Sequence, residues 1–160
     1  MHLKQIVLIK RIKKLNVKKN KLESIAKINR RLYKLALSLC RIKANHTCEV
    51  CGMKKGDLYK NKPQRVESHH IFSRRFMSPM RWDLNNLICI CSICHKLGDK
   101  SAHQNPIWFG EWLRIHKPDQ YKYVLEHCND RIDVKDRDIL YKIESVLINI
   151  SNELKKTEPK

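Results

Sequence analysis

The apolar positions of this chain alternate between helical and strand-like spacing. Between residues 18 and 43, Leu22, Ile25, Asn29, Leu32, Leu35 or Ala36 and Leu39 recur every three or four residues, and Lys27, Arg30, Arg31, Lys34 and Arg41 fall mostly off that stripe. This spacing predicts an amphipathic helix. Residues 65–71 read as extended, with Pro63 before them to end earlier structure, and the apolar run from Leu87 to Cys91 predicts a second strand. Gly52 and Gly56 predict a knuckle turn after Cys51, and residues 73–79 a loop. Ser92 is placed to cap a short helix carrying Cys94, His95 and Leu97, which Gly98 would end. Asn105-Pro106 pairs an N-cap residue with proline at the first helical position. The helix it opens carries Trp108, Phe109, Trp112 and Ile115 and stops before Pro118. A short helix over 119–128 follows, with Tyr121, Tyr123, Val124 and Leu125. The last helix, over 133–154, sets Ile139, Leu140, Ile143, Val146, Leu147, Ile150 and Leu154 on one face, with Asp133 and Asp136 near its N-terminus, where the helix dipole favours acids.

These elements predict an α+β chain in three segments. Residues 1–45 form a basic helical arm, residues 46–104 a core of strand, loop, strand and helix, and residues 105–160 a helical extension. At 160 residues the chain fits one domain with helical additions. The apolar stripe of the last helix can pack on that domain or pair with a second copy in a homodimer.

Charge changes the picture. The formal net charge is +18, and residues 1–45 hold fourteen Lys/Arg against one acid, Glu23. With almost no acids to form i,i+4 pairs, Lys27, Arg30, Arg31 and Lys34 are expected to contact phosphates. A polyanion is the expected partner, nucleic acid first and an anionic membrane surface second. Arg74 and Arg75 in the loop are candidate phosphate clamps. Residues 1–15 carry too short an apolar run for a secretion signal, and no stretch is long enough to span a bilayer.

Seven cysteines are an odd set, which argues against a secreted disulfide scaffold. Cys48-x-x-Cys51 and Cys91-x-x-Cys94 have the spacing of a structural zinc site, in which four thiolates close a tetrahedron. Cys89 is a less regular substitute for Cys91. Cys40 and Cys128 have no obvious mates, and a reducing cytoplasm suits such thiols. Inside the frame sit His69-His70, and His95 follows Cys94. Hydrolysing a phosphodiester needs an activated water, a cation to stabilise developing charge, and correct positioning. Adjacent residues on an extended segment point oppositely, so His69 and His70 divide the work: one binds metal and the other faces water as general base. Asn86 offers a neutral amide to brace the loop carrying the base.

The segment Glu-Ser-His69-His70-Ile, followed by Asn86-Leu-Ile-Cys-Ile-Cys91-Ser-Ile-Cys94-His95, resembles the HNH (ββα-metal) endonucleases with a four-cysteine zinc site. The resemblance covers residues 48–95. It implies a zinc-stabilised ββα-metal core in which His69 and His95 are metal ligands, His70 is the general base and Asn86 the motif asparagine. It also implies one catalytic divalent ion, Mg²⁺ or Mn²⁺, with Zn²⁺ or Ni²⁺ as alternatives, and duplex or branched DNA as substrate. Many family members carry Asp where His69 stands, and an imidazole ligand is softer. For a third protein ligand, Asp99 and His103 are the candidates, and an imidazole from His103 matches the other two. Phe76, Arg81-Trp82-Asp83 and His103-Gln-Asn-Pro106 are similar, more loosely, to phage proteins of the NinG/Rap recombination nucleases. A reading from another class is a zinc-stabilised DNA-binding module without catalysis. An RNA target is also open, since nothing in the sequence shows whether a 2′-hydroxyl is read.

Because structural zinc contributes folding free energy directly, the purified chain should carry at least one equivalent of zinc by elemental analysis. Cys51→Ser should lose that metal and its cooperative thermal unfolding together.

Overall fold

A computed structural model describes residues 23–73 and 78–157 of the chain. The expected arm over residues 1–22, and Arg74 and Arg75, lie outside the described residues. The first helix, α1, is Ile25–Lys43, and Ser24 caps it by accepting from the Lys27 amide at 3.3 Å. Ile28, Leu32, Ala36, Leu39 and Cys40 are its buried positions. The buried stripe is therefore rotated slightly from the expected one: Ile28 replaces Asn29 at its centre, because α1 is covered on two sides, by a sheet and by the last helix.

After α1 the chain reverses through Asn45 and His46, both at positive φ, and enters the cysteine knuckle, where the Cys48 amide donates to Met53 O and the Gly52 amide to Cys48 O. Gly52 has φ +77°, which a residue with a β-carbon adopts only at a cost. A small hairpin follows, β1 (Leu58–Tyr59) paired with β2 (Lys62–Pro63). It was not expected, since Pro63 was read only as a stop. Its two-residue turn is Lys60-Asn61, both at positive φ, in place of the glycine-containing pair that signals such a turn in sequence.

The two expected strands form as β3 (Val66–His70) and β4 (Leu87–Cys91), antiparallel in the register Val66↔Cys91, Ser68↔Cys89 and His70↔Leu87. Residues opposite each other share a face. Val66, Ser68 and His70 thus lie with Leu87, Cys89 and Cys91 toward α1, and Glu67 and His69 lie with Ile88 and Ile90 on the other face. Ser68 ties the sheet to α1, its hydroxyl donating to Leu37 O at 2.7 Å and accepting from Arg41 at 3.4 Å.

Residues 93–97 form one turn of π-helix, Ile93–Leu97, and the Ser92 side chain makes no capping bond there. The expected capped α-helix is thus a single widened turn. Gly98 closes it by donating its amide to Ile93 O, and a β-carbon at Gly98 would meet that oxygen at 3.2 Å and Ile93 Cγ2 at 3.1 Å. Helices α2 (Pro106–His116) and α3 (Pro118–His127) match expectation, and Asn105 Oδ1 accepts from the Trp108 amide at 3.0 Å. The last helix, α4, is Arg137–Thr157 and begins later than expected. Asp136 accepts from the amides of Asp138 and Ile139 and so caps it, while Asp133 serves a separate turn by accepting from the Lys135 amide.

One apolar cluster takes side chains from all three expected segments: Leu32 and Leu39 of α1, Ile88 and Ile90 of β4, Phe109 of α2 and Leu140 and Leu147 of α4. Helix α1 runs beside α4 in the same direction. Arg31 bridges them, its guanidinium donating to both Glu144 oxygens and, at 2.6 Å, to Glu23. Arg31, expected to contact phosphate, gives three of its five N–H donors to the carboxylates of Glu144 and Glu23, which also raise its pKa further. Ile143, Ile150 and Leu154 of α4 line, with Pro79, Trp82 and Leu84, an open groove of about 660 Å³. No helix among the described residues is long and apolar enough to cross a membrane.

Leu140 is fully buried between α1 and α4. Leu140→Ala should destabilise the whole chain by about 2–5 kcal/mol in a denaturant melt followed by circular dichroism. A helix merely appended to the core would leave the unfolding midpoint of that core in place.

Candidate metal centres

Cys48, Cys51, Cys91 and Cys94 bring their sulfurs within 4.8 Å of one another, and Cys51 Sγ lies 3.7 Å from Cys91 Sγ. A tetrahedral zinc–thiolate site places its sulfurs about 3.8 Å apart, so the cluster is compatible with a structural metal such as zinc. Two short loops build it. The knuckle after α1 presents Cys48 and Cys51, and the end of β4 with the π-turn presents Cys91 and Cys94. The Cys94 amide donates to Cys91 Sγ at 3.5 Å. Donation from the Cys94 thiol and from nearby backbone amides holds the Cys48 thiol well below its usual range. The open choice between Cys89 and Cys91 falls to Cys91. Cys89 is fully buried outside the cluster, and burial pushes its thiol up to about 12. Cys40 is likewise buried and pushed up to about 11.

A second cluster joins His69, His95 and His103, whose ring nitrogens also lie within 4.8 Å of one another. His69 comes from the outer face of β3, His95 from the π-turn and His103 from the loop before α2. The loop is held against the turn by the Ala102 amide on Cys94 O and the His103 amide on His95 O. His95 Nε2 and His103 Nε2 are 3.1 Å apart. Two imidazoles sharing one divalent ion place their nitrogens about 3.0–3.4 Å apart. Asp99, the alternative to His103, is exposed and outside the cluster.

The electrostatics favour neutral rings. Burial pushes His69 down to about 3, and neighbouring His95 and His103 add to the shift. Burial also lowers His95, against the opposing pull of Glu67. Glu67 was missed in the sequence reading, and it is the partner that orients this cluster. Its Oε2 accepts from His95 Nδ1 at 2.6 Å. A carboxylate oxygen only accepts, so Nδ1 carries the proton and the Nε2 lone pair faces His103, the arrangement metal-ligating histidines use. The signal was available: Glu67 stands two residues before His69 and shares its strand face. Phe109 completes the pocket wall, its ring 5.4 Å edge-on from His69.

His70 points the other way, toward α1. Its Nε2 lies 3.1 Å from Arg81 O. A carbonyl only accepts, so Nε2 carries the proton and the neutral ring holds its lone pair on Nδ1. Asn86 is fully buried and spans the loop after His70. Its Oδ1 accepts from the Phe72 amide at 2.7 Å, and its Nδ2 donates to Phe72 O at 3.0 Å and Met80 O at 2.9 Å. This fixes Met80 and hence the adjoining Arg81 carbonyl. Of the basic residues singled out, Arg30 and Lys34 are exposed on α1, and Lys27 makes an exposed i,i+4 pair with Glu23 at 3.4 Å. Comparison of the chain with family models, with curated proteins and with solved structures finds no match.

Asn86→Ala would strip three backbone groups of their partner, the buried Met80 carbonyl and the part-buried amide and carbonyl of Phe72. It should cost about 2–4 kcal/mol in chemical denaturation. Asn86→Asp should be destabilising too, because an ionised carboxylate cannot donate to Phe72 O or Met80 O. Wild-type stability in either variant would show that the loop is held by other means.

Proposed function

We propose that the chain is a divalent-metal-dependent endonuclease of the HNH (ββα-metal) type, hydrolysing phosphodiester bonds in DNA. The observation that carries this reading is the meeting of His69, His95 and His103 around a volume of metal-ion size, with His70 the next residue along β3. Four sulfurs within zinc-binding distance of one another support the same reading, since they hold the segment that presents His95.

In this mechanism His69, His95 and His103 would hold one divalent ion; three imidazoles suit Zn²⁺ or Ni²⁺, and Mg²⁺ or Mn²⁺ are the alternatives. A bound ion would stabilise charge on the phosphoryl and leaving oxygens. Glu67 keeps the His95 lone pair turned toward the ion. His70 takes the proton of the attacking water on Nδ1, because its Nε2–H is given to Arg81 O. Asn86 holds the loop that sets this geometry. Arg30 and Lys34, with Lys27, track the DNA backbone along the exposed face of α1, and Arg74 and Arg75, outside the described residues, are the candidate phosphate clamps of the sequence. The likeness to NinG/Rap proteins adds branched DNA, as formed in phage recombination, to the candidate substrates.

The test is cleavage of plasmid and four-way-junction DNA with Mg²⁺, Mn²⁺, Zn²⁺, Ni²⁺ or EDTA by wild type and His70→Ala. Metal-dependent cutting is expected, with a rate about 10²–10⁴-fold lower in the variant and unchanged DNA affinity. A wild type that binds DNA salt-sensitively yet cuts neither form in any metal would replace the nuclease with a zinc-stabilised DNA-binding module.

A further inference from the structure

The face of β3 that carries His70 is covered by α1, and the ring of Tyr33 lies parallel to the His70 ring, with centroids 5.9 Å apart and planes within 4°. The geometry points to Tyr33 as a positioning residue for His70: its ring fixes the plane of the imidazole, while the Arg81 carbonyl fixes its rotation within that plane. This inference rests on the reading of His70 as the general base.

Two restraints are needed because the last torsion of a histidine is broad. The bond from Nε2 to Arg81 O aims one edge of the ring but leaves it free to tilt about that bond. A parallel aromatic face removes the tilt, and offset stacking is a favoured geometry for two π-systems. The support under Tyr33 is firm. Leu32 beside it and Ala36 one turn on are fully buried. Four residues beyond Tyr33, Leu37 O accepts from Ser68, the residue two before His70 on the same strand face. Arg41 donates to the same hydroxyl. Helix α1 is therefore docked on the strand that bears His70, and Tyr33 is the contact it makes with that ring. Arg30 and Lys34, three residues before Tyr33 and one after it, are exposed on the same helix. In the nuclease reading, the helix that binds the DNA backbone also orients the base that activates the attacking water.

The experiment compares the full chain with Tyr33→Phe, Tyr33→Leu and Tyr33→Gln, the last suited to a half-exposed position should leucine compromise folding. Thermal melting verifies that each variant folds. Long-range ¹H–¹⁵N spectra of the histidine rings then report the His70 tautomer without any need for activity. The expected result is a single Nε2-protonated His70 signal in wild type and Tyr33→Phe. In Tyr33→Leu and Tyr33→Gln the signal should be broadened or of mixed tautomer. In the cleavage assay, kcat should fall about tenfold or more in the two non-aromatic variants with KM for DNA unchanged, and Tyr33→Phe should restore it. An unaltered His70 signal in a folded non-aromatic variant overturns the proposal, as does a loss confined to KM. Should wild type cut no DNA, the nuclease reading fails, and the ring spectra still decide whether Tyr33 holds His70.

Discussion

Four cysteine sulfurs, from two loops forty residues apart along the chain, meet within 4.8 Å of one another, and the geometry of the histidine clusters depends on that junction. Cys91 ends β4 and Cys94 stands in the turn that follows, so the junction sets the direction in which the chain leaves the sheet. His95, next to Cys94, inherits that direction. A helical segment of five residues holds no geometry of its own in water. Here it is a π-turn braced by the cysteine cluster on one side and by the Gly98 amide on the other. The same junction pins the exit of α1 through Cys48, which keeps that helix against the sheet.

Strand geometry then sorts the chemistry. In β3 the side chains alternate, so Glu67 and His69 face the His95 and His103 rings while Ser68 and His70 face α1. Two adjacent histidines thereby occupy different environments. One is partly buried and pushed down to about 3 by that burial, which suits a neutral metal ligand. The other sits between a backbone carbonyl and an aromatic ring, which suits a base of defined orientation. The loop between β3 and β4 would not hold such a carbonyl unaided. Asn86, fully buried with three backbone partners, replaces the missing secondary structure there.

The charge of α1 is divided in the same way. Its arginines and lysines look uniform along the chain, yet Arg31 is held by Glu144 and Glu23 and serves the packing of α1 on α4. Arg30 and Lys34 remain exposed. A helix that buries one side in the core and presents cations on the other joins the stability of the fold to the surface proposed to bind DNA. The apolar groove beside α4 is a separate feature, lined by Ile143, Leu147, Ile150 and Leu154 against Pro79, Trp82 and Leu84.

Local rules made much of this legible before any coordinates. The paired cysteine spacing, the opposed directions of His69 and His70, the strand at Leu87–Cys91 and the Asn105-Pro106 helix start depend on neighbouring residues alone, and each was read from the chain as it stands. His103 over Asp99 followed from matching ligand chemistry, although the loop that brings it to His95 was not visible in the sequence. Contacts between residues far apart decided the rest. Arg31 meets Glu144 across more than a hundred positions, Tyr33 meets His70 only because Ser68 docks β3 on α1, and Glu67 finds His95 through the turn set by Cys94. The Lys60-Asn61 turn was missed because it lacks the glycine that marks such turns in sequence, and the π-turn at Ile93 because a five-residue segment carries no period to read. Sequence periodicity assigns a residue to a face. What that face meets is set by how the elements pack, since a partner distant in sequence leaves no local pattern to read.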